Sequence, residues 1–457
     1  MGSIAVAPRR MPLLGHVASL VRDPLEFLRS LPAHGDLVRI GLGPVSAVAV
    51  CDPELTRELL RRDRVFDKGG ALLDRVREVL GEGLVTCPYS VHRRHRRLLQ
   101  PLFQAGRTGE YAAVMSRRIG ETVESWWDGR VLDVKAEMHA LTSGVTAAAL
   151  FTHSVPGARL TRMLEDLDRV VAALMVRTVM PAPLLRVPTP GNRGYERAIT
   201  NLRAALAEII GARRSAGTDG GDLLSALISA RDTSGEGFSD QEISDHVITF
   251  FVAGTETTGT ALAWALYLLD QHADVADRLY AEVDSVLGGR SARYEDLPHL
   301  PLTRRVITET LRLRPPVWFV TRTVSEDTEL GGHPLAAGTT VLYSAFTIQH
   351  RADLYPDPDR FDPDRWLAAK PGSRGGFLAF ADGARKCIGE DFAMTEMTLA
   401  LASIASRWRL KTLPGSDPRP ARSATLQPRH LRMRVTAATP VGRGVTRPEA
   451  ENSDRTS

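Results

Sequence analysis

A single cysteine near the C-terminus lies among residues that suit a metal ligand. Cys387 belongs to the segment 380–389, Phe-Ala-Asp-Gly-Ala-Arg-Lys-Cys-Ile-Gly, and the apolar run 390–408 after it predicts a buried helix. Cys387 is therefore expected at or just before a helix N-terminus, where the helix dipole and free backbone N–H groups favour the thiolate. Gly383 and Gly389 allow backbone conformations and close approaches that a side chain would prevent. Cys387 is thus a candidate metal ligand.

The residues around this cysteine fit one kind of metal site in particular. A thiolate that is held by amide donors against a flat apolar ligand binds heme iron in enzymes that cleave the O–O bond. The alternative is a buried, unreactive cysteine on a tight turn. The pattern Phe-x-x-Gly-x-Arg-x-Cys-x-Gly fixes five positions in ten, and it resembles the heme-binding loop of the cytochrome P450 monooxygenases. The resemblance implies that Cys387 is the axial thiolate ligand of heme b. It also implies further cofactor-binding residues, namely Phe380, Gly383, Arg385 and Gly389.

A long apolar helix in the second half of the chain contains an acid and several alcohols. Ser239 and Glu242 form a capping box, and the helix that starts there is expected to end near Gln271, roughly 45 Å away at 1.5 Å per residue. Midway lies the segment 253–258, Ala-Gly-Thr-Glu-Thr-Thr. Threonines in helices bond to the carbonyl one turn earlier, which is the structural alternative for this segment.

The segment 253–258 also resembles the oxygen-activation motif of the cytochrome P450 family. The resemblance implies that Gly254 leaves room for a small ligand beside the helix and that Ala253 borders the heme. It implies further that Glu256 and Thr257 are the catalytic residues and deliver protons. Because the motif occurs together with the cysteine loop, we favour the functional interpretation.

The most basic run of the chain is 92–97, His-Arg-Arg-His-Arg-Arg. Alone, such a run indicates either a nucleic-acid patch or a solvated helix face. On a helix, His92 and Arg96 are separated by four residues and share one side. The resemblance implies that these two residues, together with Arg322, bind the heme propionates.

Two charged residues on a later helix predict a structural ion pair. Glu309 and Arg312 lie in a helix that is stopped by Pro315 and Pro316. Such a pair on a surface contributes little to stability. The resembling family instead buries the pair with an arginine from a later loop, and Arg365 matches that arginine. We therefore expect a structural triad that supports the cysteine loop and takes no part in chemistry.

The candidate substrate-contacting residues are mainly aliphatic and aromatic, which predicts an apolar substrate oriented by shape. Residues 317–321 resemble the strand that passes over the heme in this family, and 425–427 resemble a turn that enters the pocket from the opposite side. Packing in an aromatic core is the competing explanation for Trp318 and Phe319. The candidates are Phe66, Leu73, Met175, Phe250, Val317, Trp318, Phe319, Val320 and Leu426.

Length and composition limit the possible folds. The chain has 457 residues, of which 43% are hydrophobic and 25% charged. The site residues interleave from His92 to Cys387, which indicates one folded unit. We predict a mainly α protein with a smaller β region (α+β), the cytochrome P450 fold, with heme between the long central helix and the helix after the cysteine loop. Residues 11–439 are expected to form this domain, residues 1–10 a flexible N-terminus, and residues 440–457 a disordered tail.

Cysteine count, hydropathy and charge exclude several classes of protein. Three cysteines supply neither a disulfide framework nor an iron–sulfur cluster, and Cys51 and Cys87 are expected to be packing residues. No segment has the roughly 18 uncharged apolar residues of a membrane span. A net charge of +4 does not by itself indicate nucleic-acid binding. We expect a soluble, cytoplasmic monomer.

The resemblance implies a monooxygenase that inserts one oxygen atom of O2 into a C–H bond of an apolar small molecule. The whole chain looks similar to actinobacterial enzymes of the family that oxidise sesquiterpenes, so a sesquiterpene such as pentalenene, in secondary metabolism, is the expected substrate. The chain has no glycine-rich dinucleotide motif, which implies a separate ferredoxin and ferredoxin reductase. The expected donor surface includes Arg93, Arg97, Arg385 and Lys386. The alternatives are a fatty acid or steroid hydroxylase, and an isomerase, dehydratase, peroxygenase or heme sensor on the same fold.

Overall fold

Helices make up most of the chain. The structure, a computed structural model, describes residues 4–42, 45–151, 157–180, 182–217, 221–368, 376–421 and 425–438. In these ranges the α-helices are α1 (Val17–Arg22), α2 (Pro24–Ser30), α3 (Pro53–Arg61), α4 (Ala71–Leu80), α5 (Tyr89–Leu99), α6 (Ala105–Glu124), α7 (Val134–Phe151), α8 (Gly157–Val179), α9 (Ala182–Leu185), α10 (Pro190–Ala216), α11 (Leu223–Ser229), α12 (Asp240–Gln271), α13 (Ala273–Leu287), α14 (Pro301–Leu313), α15 (Ala345–Gln349) and α16 (Glu390–Arg407).

The strands form one larger and two smaller sheets. They are β1 (Ala5–Val6), β2 (Leu37–Leu42), β3 (Val45–Val50), β4 (Phe66–Lys68), β5 (Val131–Asp133), β6 (Val320–Val324), β7 (Thr328–Leu330), β8 (His333–Leu335), β9 (Thr340–Tyr343), β10 (Trp408–Thr412) and β11 (Arg432–Ala437). The larger sheet has the order β1-β2-β3-β9-β6-β4, and the smaller sheets are β10-β11-β5 and the hairpin β7-β8. The largest apolar core lies among the helices, and two smaller cores pack against the larger sheet.

The N-terminal segment takes part in the larger sheet. Ala5 and Val6 pair in parallel with Val38 and Arg39 of β2, and the Ala7 N–H donates to the Arg39 carbonyl at 3.0 Å. The expectation of a flexible segment 1–10 therefore needs correction at residues 5–7, which are held by strand pairing and a backbone hydrogen bond. The predicted tail 440–457 lies outside the described residues.

Helix α12 runs through the helical core, and its local sequence explains where it starts. The Glu242 N–H donates to Ser239 Oγ at 3.2 Å, and the Ser239 N–H donates to Glu242 Oε2 at 2.8 Å. This is the predicted capping box. The helix has 32 residues and is about 48 Å long at 1.5 Å per residue. It packs against α7, α10, α14 and α16, so it positions its middle segment against several elements at once.

Glu309 and Arg312 form an ion pair inside the protein. Both side chains have 0% exposure, and Arg312 Nη2 donates to Glu309 Oε1 at 2.8 Å. Arg365 approaches the same carboxylate at 3.5 Å, and Trp366 Nε1 donates to it at 2.9 Å. The three predicted residues therefore lie together. Gln349 accepts from the Leu378 N–H at 2.8 Å and donates to the Arg312 carbonyl, which connects this cluster to the segment just before the cysteine loop.

We expect Glu309→Ala to lower the free energy of unfolding by about 3–5 kcal/mol, because it leaves the buried Arg312 guanidinium without its carboxylate. The measurement is denaturant unfolding of the full-length protein. The matched control is Arg278→Ala, which removes a solvent-exposed ion pair with Asp364 and is expected to cost less than about 1 kcal/mol. Equal losses in the two variants would show that the buried pair has no special structural role.

Candidate functional site

A cavity separates the middle of α12 from the cysteine loop. From α12 it is lined by Ala253, Gly254 and Thr257, and from the loop by Phe380, Ala381, Arg385, Lys386, Cys387, Ile388 and Gly389. The two segments that the sequence singled out independently therefore face each other across one space.

The cysteine loop is closed by its own backbone. The Cys387 N–H donates to the Phe380 carbonyl at 2.9 Å, and Asp382 Oδ1 accepts from the Gly383 N–H at 2.7 Å. Gly383 has a φ of +71°, and a Cβ there would lie 2.5 Å from the Leu60 carbonyl oxygen, so this position requires glycine. Gly389 has an ordinary φ of −94° and the nearest atom to an added Cβ is 4.0 Å away. Its missing side chain leaves cavity space instead.

The three cysteines have different surroundings. Cys51 and Cys87 are buried, and Cys387 is exposed because it faces the cavity. Burial raises the pKa of Cys51 to about 12 and that of Cys87 to about 11, which fits packing residues. Burial also raises the pKa of Cys387, although a hydrogen bond from the Gly389 N–H opposes the shift. The predicted amide donor is thus present at the cysteine sulfur.

Basic residues line one part of the cavity. His92, Arg96, Arg322 and also Lys68 line it, and none of them has an ion pair with a carboxylate in the part of the chain described here. Nε and Nη1 of the buried Arg322 lack a hydrogen-bond partner there. Burial and the neighbouring cations lower the pKa of His92 to about 3 and that of Lys68 well below its usual value. An anionic group is the chemical complement of this arrangement.

The sequence analysis missed Lys68. Strands β4 and β6 are antiparallel neighbours, and Lys68 lies directly opposite Arg322 in that pair. A signal was available, because the chain has only five lysines among its 58 basic residues and one of them stands in the segment Phe-Asp-Lys-Gly-Gly. The pairing of the two strands, on which the site depends, is not visible in either segment alone.

Arg385 is neutralised by the protein itself. Its Nε and Nη2 donate to Asp63 at 3.1 Å and to Asp67 at 2.8 Å, and Nη1 donates to the Cys87 carbonyl at 3.0 Å. The side chain lines the cavity but has 0% solvent exposure. The expectation that Arg385 contributes to a donor-docking surface is therefore wrong, because its guanidinium fixes the cysteine loop to the segment 63–67.

The acid and the alcohol of the α12 motif face different surroundings. Thr257 lines the cavity, and its Oγ1 donates to the Ala253 carbonyl at 2.6 Å. Glu256 does not line the cavity; it accepts from Gln427 Nε2 at 3.0 Å and from Thr425 Oγ1 at 3.3 Å. Burial raises the pKa of Glu256, and these two hydrogen bonds oppose the shift. The turn 425–427 therefore contacts the acid and not the cavity.

The predicted substrate-contacting residues divide into two groups. Those that line the cavity are Leu73, Phe250, Val317, Phe319 and Val320. Three do not, and these predictions were wrong. Phe66 is the first residue of β4 and is fully buried in a core, Trp318 packs on Phe319 with ring centroids 4.5 Å apart, and Leu426 is buried beside Trp264. The Met175 side chain lies outside the described residues. Helix α4 adds Leu72 and Val76 to the wall, which the spacing of its apolar residues could have indicated.

Comparison with known proteins decides the family. A sequence profile described as cytochrome P450 matches residues 6–433. The chain belongs to the cytochrome P450 family. The resemblance seen in the motifs is thus confirmed, as are the fold class, heme b with a cysteine thiolate as the cofactor, and monooxygenase as the enzyme class. The cavity suits this cofactor, because it combines a cysteine, apolar walls and unpaired basic groups for two carboxylates.

Relatives of this P450 include enzymes that act on defined small molecules. Pentalenene oxygenase of Streptomyces avermitilis is 44% identical over 95% of this chain and 97% of its own. Cyclooctat-9-en-7-ol 5-monooxygenase of Streptomyces melanosporofaciens is 46% identical over 90% of each chain. Among solved structures, the heme domain of cytochrome P450DA superposes with a TM-score of 0.86 at 27% identity, over 96% of this chain and 99% of that one. Within the described ranges, no helix is both long and apolar enough to cross a membrane.

We expect Gly383→Ala to displace the cysteine loop, because the added methyl group meets the Leu60 carbonyl and the residue keeps a positive φ. The matched control is Gly415→Ala, where φ is +81° and nothing lies within 4 Å of the added Cβ; it is expected to lower the free energy of unfolding by about 1 kcal/mol. Gly383→Ala should cost more and should also reduce the heme content of the purified protein. Unchanged heme content in Gly383→Ala would contradict this role for the glycine.

Proposed function

We propose that this P450 oxidises a C–H bond of a terpene, with pentalenene-like hydrocarbons as the first candidates. The observation that carries the proposal is the apolar part of the cavity wall. It is formed by aliphatic and aromatic side chains, among them Leu72, Leu73, Val76, Phe250, Val317 and Phe319. Such a wall selects by shape and excludes water. The names of two relatives that are 44% and 46% identical, a pentalenene oxygenase and a cyclooctat-9-en-7-ol monooxygenase, support a terpene.

Within this function we assign Cys387 as the axial ligand and His92, Arg96, Arg322 and Lys68 as the residues that hold the two propionates. Arg322 is the best supported of the four, since two of its buried nitrogens are unpartnered in the described part of the chain. Heme b with a thiolate ligand supplies the O–O bond cleavage of the reaction. Ala253 and Gly254 border the cavity, and a Cβ at Gly254 would lie 2.9 Å from Thr146 Oγ1 of α7.

We assign the movement of protons to Thr257 and Glu256. Thr257 Oγ1 lies at the cavity wall and holds its proton toward the Ala253 carbonyl, from which a small rotation turns it into the cavity. Glu256, the preceding residue, has a pKa that burial raises, so its carboxyl group gives up and takes back a proton nearer to neutral pH than an exposed glutamate does. Thr257 thus donates a proton into the cavity, and Glu256 replaces the proton that Thr257 has lost.

We further propose that electrons come from a ferredoxin that docks beside the cysteine loop of a cytoplasmic monomer. Arg93 and Arg97 are exposed on α5, and on the same helix Arg96 Nη1 donates to the Lys386 carbonyl at 2.6 Å. This hydrogen bond joins α5, which carries Arg93 and Arg97, to the loop residue Lys386 directly before Cys387. An acidic protein docked there has a short path to the thiolate.

The substrate proposal is tested by optical titration of the ferric protein with pentalenene, cyclooctat-9-en-7-ol, a long-chain fatty acid and a steroid. A saturable shift of the heme Soret band toward high spin is expected with at least one of the two terpenes and with neither of the others. Leu73→Trp should weaken that terpene about tenfold or more, since the larger ring fills the cavity. Leu367→Trp, at an exposed leucine, is the control and should bind normally. A shift with the fatty acid or the steroid alone would overturn the terpene assignment.

The donor surface is tested by reversing its charge. Arg93→Glu/Arg97→Glu should slow reduction by ferredoxin about tenfold or more at low salt, since electrostatic steering raises association rates by 10- to 1000-fold. The terpene-induced spectral shift should stay unchanged. Arg193→Glu/Arg197→Glu makes the same charge change at the same spacing on the exposed side of α10 and serves as the control. Equal reduction rates in the two double variants would place the donor elsewhere.

A further inference from the structure

Glu256 lies in a polar pocket of its own, behind the cavity wall. On one side its Oε2 accepts hydrogen bonds from Gln427 and Thr425. On the other side lies His139 of α7, whose Nε2 is 3.7 Å from the same oxygen. This distance is just beyond hydrogen-bond length, so a small rotation of either side chain closes the contact. The proposed proton donor is therefore in contact with a histidine that the cavity does not include.

The approach of His139 to Glu256 depends on a glycine. Gly259 lies three residues after Glu256 and faces α7 with it. A Cβ at Gly259 would lie 2.6 Å from His139 Cδ2 and 3.1 Å from Thr142 Oγ1. Thr142 in turn donates to the Thr255 carbonyl of α12 at 3.0 Å. The missing side chain of Gly259 and the hydrogen bond from Thr142 thus keep α7 and α12 close enough for the imidazole to lie beside the acid.

The histidine is partly open to solvent, and so is the acid. Both side chains are 17% exposed, and His139 Nε2, which faces the acid, is buried without a partner in the described residues. Neither Glu256 nor His139 lines the cavity, so the exposed part of each side chain opens elsewhere. Solvent can therefore reach this pair without passing through the apolar substrate cavity.

Several charged groups surround the pair. Burial raises the pKa of Glu256; Lys135, one turn before His139 on α7, lowers it, and Asp168 of α8 raises it. Burial and Lys135 lower the pKa of His139 to about 4, against an opposing effect of Asp133. The imidazole is therefore neutral at pH 7. A neutral imidazole passes a proton by accepting one at one ring nitrogen and releasing one from the other.

We propose that His139 is a positioning residue that connects Glu256 to solvent on the α7 side and renews the proton of the acid. The inference rests on the proposed role of Glu256. In each cycle Nδ1 takes a proton from a hydronium ion of the solvent, and Nε2 gives its own proton to the carboxylate. The ring then returns to its first tautomer by losing the Nδ1 proton to water and taking one from water at Nε2, so the net change is one proton moved from solvent to the carboxylate, and no electrons move. Release from Gln427 then lets the carboxyl group turn toward Thr257.

The test compares His139→Phe, His139→Gln and Glu256→Gln, together with the double variant His139→Phe/Glu256→Gln. The control is His272→Gln. His272 is a half-buried histidine at the C-terminal end of α12, about 24 Å along the helix from Glu256 at 1.5 Å per residue. Turnover of each variant is measured with the terpene, pentalenene or cyclooctat-9-en-7-ol, that shifts the Soret band in the optical titration. The readouts are peroxide released per electron pair, the solvent isotope effect and the spectral affinity for the terpene.

We expect Glu256→Gln to lower product per electron pair about tenfold or more and His139→Phe about fivefold or more, as for loss of a proton-transfer group. Spectral affinity should change by less than about twofold. His139→Gln, which keeps a hydrogen-bonding group but cannot exchange tautomers, should leave a large solvent isotope effect. Because His139 acts through Glu256, the double variant should be no worse than Glu256→Gln alone.

A second readout needs no turnover. Infrared difference titration against Glu256→Gln reports the carboxyl group of Glu256, whose pKa should shift in His139→Phe and stay unchanged in His272→Gln. If His139→Phe matches His272→Gln in both peroxide release and carboxyl titration, His139 only packs against α12 and the proposal is wrong. Additive losses in the double variant would also overturn it. If Glu256→Gln forms as much product per electron pair as the unchanged protein, the assigned role of Glu256 is wrong instead.

Discussion

The structure depends on holding unpaired positive charge at the edge of an apolar cavity. Arg322 is 2% exposed and still has two nitrogens without partners in the described chain. Burying a cation without a counter-charge costs several kcal/mol, and the lowered pKa values of Lys68 and His92 show the same strain. A dianionic group relieves this cost at several residues together. Cofactor binding is therefore linked to stability, because any ligand that prefers the native state stabilises it.

Two neighbouring arginines, Arg385 and Arg322, have different roles in this site. Arg385 is neutralised by Asp63 and Asp67 and fixes the cysteine loop, whereas Arg322 forms a hydrogen bond with Tyr343 and keeps Nε and Nη1 unpartnered in the described chain. The difference arises from their partners, since both side chains line the same cavity. The loop must be rigid before the cysteine can serve as a ligand, so one arginine is used for structure. Arg322 keeps two unpartnered nitrogens in the described chain, since Asp67 of β4 accepts from Arg385 and the residue opposite Arg322 in the strand pair is Lys68.

Local sequence predicted most of the elements, because caps, helix breakers and motif spacings act over a few residues. The capping box at Ser239, the end of α12 at Gln271 and the helix after Cys387 all follow from neighbours in sequence. The direction of individual side chains did not follow. Trp318 turns into the core while Phe319 turns into the cavity, and that choice depends on Leu426 and other residues that are remote in sequence. Lys68 was missed for the same reason, since its role depends on which strand pairs with β4.

Helix geometry explains why the acid and the alcohol of α12 cannot share one environment. Successive residues on an α-helix point about 100° apart, because 3.6 residues make a turn. When Thr257 faces the cavity, Glu256 must therefore face a neighbouring helix, which here is α7. A motif of adjacent acid and alcohol thus requires a second polar environment behind the cavity wall. In this chain, Gly259 makes room for that environment, and His139, Thr425 and Gln427 supply its polar groups. The apolar cavity can then stay free of water while the acid remains in contact with solvent.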